Sequence, residues 1–210
     1  MFKFITIARK ALLAAALVLC SGAAFAFPSY QVTIHTQAFS GEAGLLDLSL
    51  GSYGDGAPMT IATLWNISGA FGEQFDRSGA VTGDIEQGLT FTSGPNSNYL
   101  TQSVLLGGDF VFNIAFSGPI EFMEGRFGTT FAAVLYDAGM TEILDIPVQF
   151  DLIPAFNGDA ARVTINTNPA TATVIELVAV DVPEPSQLLL MLSALALAGV
   201  AMRRSRKLGK

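Results

Sequence analysis

Apolar and polar residues alternate with a period of two along most of the central part of the chain. The alternation is clearest in residues 30–35, where Tyr30, Val32 and Ile34 stand between polar neighbours, and in residues 110–116, which are rich in Phe. Such alternation is typical of β-strands with one buried face. The same signal predicts further strands, separated by Gly, Pro, Asn and Asp, at 45–50, 59–67, 84–92, 98–106, 129–137, 143–153, 162–167 and 171–180.

These strands predict the fold class of the central region, residues 27–181. About ten short strands, with no stripe of helical period, indicate an all-β, antiparallel sandwich or jelly-roll-like domain. Its length of roughly 155 residues suits a single domain that buries about 70% of its unfolded surface. The Phe-rich faces would form the core.

Two finer predictions concern individual strands. Pro147 and Pro154 interrupt the strand at 143–153, and proline is mostly confined to edge strands, so an edge position is predicted there. Trp65 falls on the same alternating face as Ile61, so its ring is predicted to lie in the core.

The first twenty-six residues have the pattern of a secretory signal peptide. Three basic residues precede a nine-residue apolar stretch, 11–19, which is too short to span a membrane. Ala24 and Ala26 form a small-x-small cleavage site. The pattern predicts the general secretion machinery and signal peptidase as partners, with the mature chain beginning at Phe27.

The chain has one cysteine, Cys20, which raises the alternative of a lipoprotein signal. That signal requires a small residue directly before the cysteine, whereas Leu19 stands there. Cleavage after Ala26 would remove the cysteine and leave a mature protein without disulfides or thiolate ligands.

Residues 182–210 end the chain with an apolar run and a basic cluster. The run 188–202 contains six Leu and four Ala. At about 1.5 Å per residue it spans roughly 22 Å, so an additional N-terminal turn is needed to approach the bilayer core of about 30 Å. We predict a transmembrane helix at 186–202 and, by the positive-inside rule, a cytoplasmic tail at 203–210. The basic residues are Arg203, Arg204, Arg206 and Lys207.

A proline pair precedes the apolar run. Pro183 and Pro185 fix φ and hold the backbone extended around Glu184. With the apolar helix and basic cluster that follow, this stretch resembles the PEP-CTERM sorting signal of exported bacterial proteins. The resemblance implies recognition by exosortase, a membrane-embedded cysteine peptidase-like enzyme that removes the tail and passes the protein to the cell surface or extracellular polysaccharide matrix. The alternative is an ordinary single-pass tail anchor.

The central region is strongly acidic. Residues 27–181 contain seventeen Asp and Glu, three Arg and no Lys, a net charge near −14, whereas the whole chain has −7. This charge would repel nucleic acid, which we exclude as a partner. It also suits a soluble exported domain.

Few residues suggest catalysis. The single histidine, His35, lies on the polar face of a predicted strand, where we expect a hydrogen-bonded surface residue. The chain has no Gly-x-Ser-x-Gly elbow and no phosphate-binding loop. We therefore predict no catalytic residues. A pair of carboxylates could still hydrolyse glycosidic bonds, which leaves a secreted carbohydrate-active enzyme as the alternative.

No cofactor is predicted, because one histidine and no mature cysteine cannot build a transition-metal site. Calcium is an alternative, since acidic residues stand at strand ends and loops, although turn-forming Asp on a solvated acidic surface is the preferred explanation. The candidate ligands are Asp47, Asp55, Asp137 and Asp145.

Exposed aromatic residues are the candidates for polysaccharide contact. The candidates are Trp65, Tyr53, Tyr99 and Tyr136. The core is the preferred place for Trp65, and Tyr53, in the glycine-rich loop 51–58, is the preferred exposed ring. The sequence thus predicts an exported, non-enzymatic protein of the cell surface or biofilm matrix that associates with exopolysaccharide. A glycan-binding module that uses the same tail is a further alternative.

Overall fold

The computed structural model describes residues 27–94 and 97–177, without the side chains of residues 144 and 145. The predicted signal peptide, transmembrane helix and sorting signal lie outside the described residues. The described part forms twelve strands in two six-stranded sheets, and all strand pairs are antiparallel. The predicted all-β class is confirmed.

We name the sheets A and B. Sheet A contains, in spatial order, β12 (Ala172–Leu177), β1 (Ser29–His35), β8 (Asp109–Ser117), β3 (Ile61–Ser68), β6 (Gly88–Thr92) and β5 (Val81–Asp84). Sheet B contains β11 (Arg162–Thr167), β10 (Glu142–Ile153), β9 (Thr129–Asp137), β2 (Ala43–Ser52), β7 (Asn98–Leu105) and β4 (Phe71–Ser78). Two 3₁₀ turns occur at Gln37–Phe39 and Pro119–Glu121.

One apolar core joins the two sheets, and Phe131 of β9 lies at its centre. Its ring is 6.0 Å from that of Phe91, 6.3 Å from that of Phe112 and 6.2 Å from that of Phe116, all in sheet A. The ring also lies 6.3 Å from that of Phe150 in its own sheet. Aromatic pairs at such distances contribute about 0.5–1.5 kcal/mol beyond their buried area. The two sheets therefore pack face to face, as the predicted sandwich requires.

Strand β10 is not at an edge, so that prediction is wrong. It lies between β9 and β11. Pro147 is tolerated because the pairing with β9 shifts register between Leu144 and Val148, where the missing N–H interrupts no regular ladder. The Pro147 carbonyl accepts a hydrogen bond from Thr167 Oγ1 at 3.1 Å.

Trp65 does not lie in the core. Ala62 and Leu64 are the buried residues of β3, so the half-buried Trp65 ring is on the outer face of sheet A. Asn66 has a φ of 52°, and the register against β8 shifts between Trp65 and Ser68. This irregularity returns Ile67 to the core side, where it packs against the cluster. Trp65 and Ile67, which alternate as if they shared one face, therefore lie on opposite sides of sheet A.

The strand predicted at 84–92 is a hairpin of β5 and β6. Gly88 has a φ of 107°, and a Cβ there would lie 2.7 Å from the Leu64 carbonyl oxygen, so only glycine fits. Asp84 Oδ1 accepts a hydrogen bond from the Gln87 N–H at 2.7 Å and closes the turn. Strand β4 was not predicted, because most of its side chains are exposed and its pairing with β7 shifts register twice.

Candidate functional site

The outer face of sheet B brings together three of the four tyrosines of the chain. Tyr30 is buried in the core. Tyr99 and Tyr136 face outward, because the adjacent residues Leu100 of β7 and Leu135 of β9 point into the core. Tyr53 follows β2 directly and reaches the same face through its hydroxyl contacts with β9 and β10. The three tyrosines that the sequence proposed for glycan contact therefore share one face, and Trp65 lies on the other sheet.

Tyr53 is held by a network of polar residues, the Asp151 cluster. The Tyr53 hydroxyl donates to Asp151 Oδ1 at 2.8 Å, and the Thr130 hydroxyl contacts both groups, with 2.7 Å to Asp151 Oδ1. Gln149 Nε2 donates to Asp151 Oδ1 and Asn166 Nδ2 to Asp151 Oδ2, both at 2.8 Å. The Tyr53 side chain is 59% exposed but fixed in orientation.

These contacts also set the charge of the cluster. Burial raises the pKa of Asp151, but four side-chain hydrogen bonds outweigh it and hold that pKa below its usual value. Burial raises the pKa of Tyr53, and the nearby Asp151 carboxylate adds to this effect. At neutral pH the carboxylate is therefore ionised and the tyrosine remains a hydrogen-bond donor.

A second group, the Asp47 cluster, lies on the same face across β2, β7, β4 and β9. Thr101 Oγ1 donates to Asp47 Oδ1 at 2.6 Å, and the Tyr99 hydroxyl donates to Asp76 Oδ2 at 2.9 Å. Burial raises the pKa of Asp47, and the negative charge of Asp76 raises it further. Burial likewise raises the pKa of Tyr136, as does the charge of Asp47. The Asp47 carboxylate therefore has fewer hydrogen bonds to offset the cost of its burial than the Asp151 carboxylate has.

Small side chains separate the two clusters. Ser49 pairs with Tyr99 of β7 and with Ala132 of β9, and Ala132 pairs with Gln149 of β10. Neighbouring strands lie about 4.8 Å apart, so this row from β7 to β10 covers roughly 14 Å. It forms a low floor with an aromatic and polar group at each side.

A cavity of about 310 Å³ adjoins Tyr53. Its wall includes Ser52, Asp55, Met59 and Ser93. This volume is at the lower end of the range for small-ligand pockets. The glycine-rich loop predicted an exposed Tyr53, whereas its contact with Asp151, 98 residues away, has no local signal in the sequence.

His35 is a hydrogen-bonded surface residue, as predicted. Its Nδ1 lies 2.8 Å from Asp109 Oδ1, and its Nε2 lies 3.1 Å from Thr173 Oγ1. Gln37 Nε2 also donates to Asp109 Oδ1, at 2.6 Å. These contacts connect β12, β1 and β8 on the outer face of sheet A.

The proposed calcium ligands are described in part. Among the described residues, no three His, Cys, Asp or Glu side chains are grouped to hold a metal ion. Asp137 Oδ1 accepts the N–H groups of Gly139 and Thr141, both at 2.8 Å, as a turn-forming aspartate does. Asp55 lies in the loop after β2, and the Asp145 side chain is outside the described part. Calcium binding stays a prediction, as does the absence of catalytic residues.

Within the described part, no helix is both long and apolar enough to cross a membrane.

Comparison with known protein families identifies a sorting signal near the C-terminus of the chain. The family model described as the PEP-CTERM protein-sorting motif matches residues 181–207. The chain is thus an exported protein that is anchored transiently in the membrane and processed, with exosortase as its processing partner. The matched range includes Pro183–Pro185 and the basic residues 203–207. No curated protein and no solved structure matched the chain.

Proposed function

We propose that this chain is a non-enzymatic protein of the cell surface or biofilm matrix that binds polysaccharide on the outer face of sheet B. Residues 1–26 direct it to the secretion machinery, and signal peptidase cuts after Ala26. Exosortase then removes the C-terminal tail. The observation that supports the binding role is the convergence of Tyr53, Tyr99 and Tyr136, each beside a carboxylate.

The chemistry of this face suits sugars. The apolar C–H face of a sugar ring can pack on an aromatic ring, and tyrosine combines such a ring with a polar tip. Sugar hydroxyls can bond to carboxylate and amide groups, which both clusters present. Because the Asp151 cluster already holds the Tyr53 ring, binding would cost little side-chain ordering.

The charge of the domain narrows the class of polysaccharide. A net charge near −14 over residues 27–181 disfavours uronate-rich or sulfated polymers. We expect an uncharged polysaccharide or one that bears amino groups. The floor at Ser49 and Ala132 would let an extended chain lie across β7, β2, β9 and β10.

Co-sedimentation of the domain 27–181 with the exopolysaccharide of the producing organism tests this role. We expect the variants Tyr53→Ala and Tyr99→Ala each to weaken retention about tenfold, as loss of a central aromatic contact does. The control is Trp65→Ala, which removes an aromatic ring from the outer face of sheet A. Equal retention of all four proteins, or none by the unaltered domain, would reject polysaccharide binding.

A separate experiment tests delivery. The intact mass of the released protein should show a C-terminus upstream of residue 188 in cells with exosortase. Replacing Pro183 and Pro185 with Ala should leave the tail uncleaved, because the extended recognition peptide is lost. An identical C-terminus in cells with and without exosortase would disprove exosortase processing, whatever the domain binds.

A secreted carbohydrate-active enzyme is the second candidate. It is favoured by the position of Asp47, whose pKa is raised by burial and by the nearby negative charge of Asp76, because a carboxyl group with a raised pKa can act as a general acid. Release of reducing ends from matrix polysaccharide, abolished by Asp47→Asn, would establish this activity. Failure to release them would leave the binding role as stated.

A further inference from the structure

Three loops meet at one end of the domain, which we call the loop end. They are residues 53–60, 118–128 and 154–161, which connect β2 to β3, β8 to β9 and β10 to β11. The Ile120 N–H donates to the Met59 carbonyl at 3.3 Å, and the Gly125 N–H donates to the Ala155 carbonyl at 3.0 Å. The three loops therefore form one continuous surface.

This surface is unusually apolar. Six of the eleven large apolar side chains that are exposed in the described part belong to these loops. Phe122 is the most exposed of all, at 75%. Large exposed apolar patches on soluble domains mark contacts with other proteins or with membranes. The six residues are Tyr53, Met59, Phe122, Met123, Phe127 and Phe156.

The described chain also enters and leaves at the loop end. Ser29, the first residue of β1, pairs with Leu177, the last residue of β12. Strand β8 runs antiparallel to β1 and leads into loop 118–128 beside this pair. Eight residues, 178–185, connect Leu177 to the predicted transmembrane segment. Fully extended, they span at most about 29 Å.

The loop end combines aromatic side chains with a small number of charged residues, as surfaces that contact lipid do. Arg126 and Arg162, two of the three arginines in residues 27–181, lie in or directly after these loops. Aromatic and basic side chains together are typical of membrane–water interfaces. Asp55, Glu121, Glu124 and Asp159 also lie in these loops, so the loop end has a net negative charge. Its docking would therefore depend on the apolar side chains and not on attraction to anionic lipids.

We propose that the loop end docks on the outer surface of the membrane until exosortase cuts the tail. Phe122, Met123 and Phe127 enter the interface between headgroups and acyl chains, and the short connection keeps them at the bilayer. The strands then point away from the membrane and leave Tyr99 and Tyr136 on the outer face of sheet B accessible, whereas Tyr53, at the loop end, becomes fully accessible only after the tail is cut. Docking rests on the proposed delivery, because the sorting tail brings the domain to the membrane.

The full mature chain, residues 27–210, has no cysteine, which allows a single-site probe. Met123→Cys places an NBD label in the loop end. Met140→Cys is the matched control, because Met140 is an equally accessible methionine (56% exposed, against 49% for Met123) between β9 and β10 at the other end. Each protein is reconstituted in phosphatidylcholine vesicles, and only the protein that floats with the vesicles is measured.

We expect blue-shifted emission and about threefold weaker iodide quenching at residue 123 than at residue 140, as for an interfacial position. The additional changes Phe122→Ser and Phe127→Ser should return residue 123 to the behaviour of residue 140. Equal quenching at both sites would overturn the proposal. Protection of residue 123 only in vesicles that contain exosortase would also overturn it, in favour of a protein partner. The vesicles contain no peptidase otherwise, so this result is independent of the processing experiment.

Discussion

The two faces of sheet B are formed by the same strands but differ in their side chains. Its inner face presents Phe131 and Phe150 to the rings of sheet A, whereas its outer face presents Tyr99, Tyr136 and Asp47. The inner side chains are all apolar, and their contribution depends on how well their shapes pack together. The outer side chains differ in chemistry from one position to the next. If the outer face binds polysaccharide as proposed, alternate residues of the same strands would serve stability and binding, and substitutions can test that separation.

The largest effect is expected on the inner face. Phe131→Ala removes the ring that contacts four others, and should lower the free energy of unfolding by about 3–5 kcal/mol, measured by urea denaturation of the domain. Phe75→Ala is the matched control, because the Phe75 side chain on β4 is 57% exposed. Its effect should stay within about 0.5 kcal/mol. Similar losses in both variants would contradict the assigned core.

On the outer face, Asp151→Asn should destabilise the domain at pH 7 by about 1 kcal/mol, after solvent screening is allowed for. The pKa of Asp151 is lowered in the folded state, so its stabilising contribution is present above the ordinary Asp pKa of about 3.9. That contribution is lost as the pH falls through the folded value. The difference between variant and parent should therefore shrink towards pH 2. A constant difference from pH 7 to pH 2 would show that charge is not its cause.

Asp47→Asn should have the opposite sign and raise the free energy of unfolding at pH 7 by up to about 1 kcal/mol. Burial raises the pKa of Asp47, so its ionised form opposes folding once the pH rises through the folded value. Below the ordinary pKa the residue is protonated in both states, and the gain should vanish. Asparagine can still accept the hydrogen bond from Thr101. Destabilisation at pH 7 would mean that the hydrogen bond from Thr101 stabilises the Asp47 carboxylate more than burial and the charge of Asp76 oppose it.

The smallest effect is expected on the outer face of sheet A. His35→Ala should change the free energy of unfolding by less than about 0.5 kcal/mol, because the contact is exposed and screened. The hydrogen bond to His35 is the main cause that lowers the pKa of Asp109, with Gln37 adding to it. NMR titration should show that pKa rise towards its ordinary value in the variant. An unchanged Asp109 pKa would assign the lowering to Gln37 alone.

Local patterns predicted the elements in which one face is wholly buried. Strands β1, β8 and β9 were found with their inward residues, because each keeps its own alternation unbroken. The register shifts against β8 and β9 come from extra residues in β3 and β10, and the predictions failed in those two strands. Trp65 appeared to share a face with Ile67 because the two residues are two positions apart. The positive φ of Asn66, which lies between them, reverses the faces. Pro147 suggested an edge strand because proline has no N–H to donate to a neighbouring strand. The register shift that makes this N–H unnecessary cannot be recognised in the sequence.

The candidate binding face was predictable only in its parts. Tyr53 was recognisable from its glycine-rich loop, but Asp151 fixes it from a strand 98 residues away. No local signal joins Asp47 to Asp76 or Tyr99. The sorting signal is the opposite case, because its order of proline motif, apolar run and basic cluster is contained in one continuous stretch, and the family match at residues 181–207 confirms it.

The pairing of β12 with β1 has a consequence for folding during export. In the proposed export through the secretion machinery, the first strand of the domain would have no outer neighbour until the last strand, more than 130 residues later, had emerged. Sheet A would then be one strand short during translocation, with β1 as an open edge that could pair with another chain. A domain built in this way would gain its final strand only moments before its tail reaches the membrane.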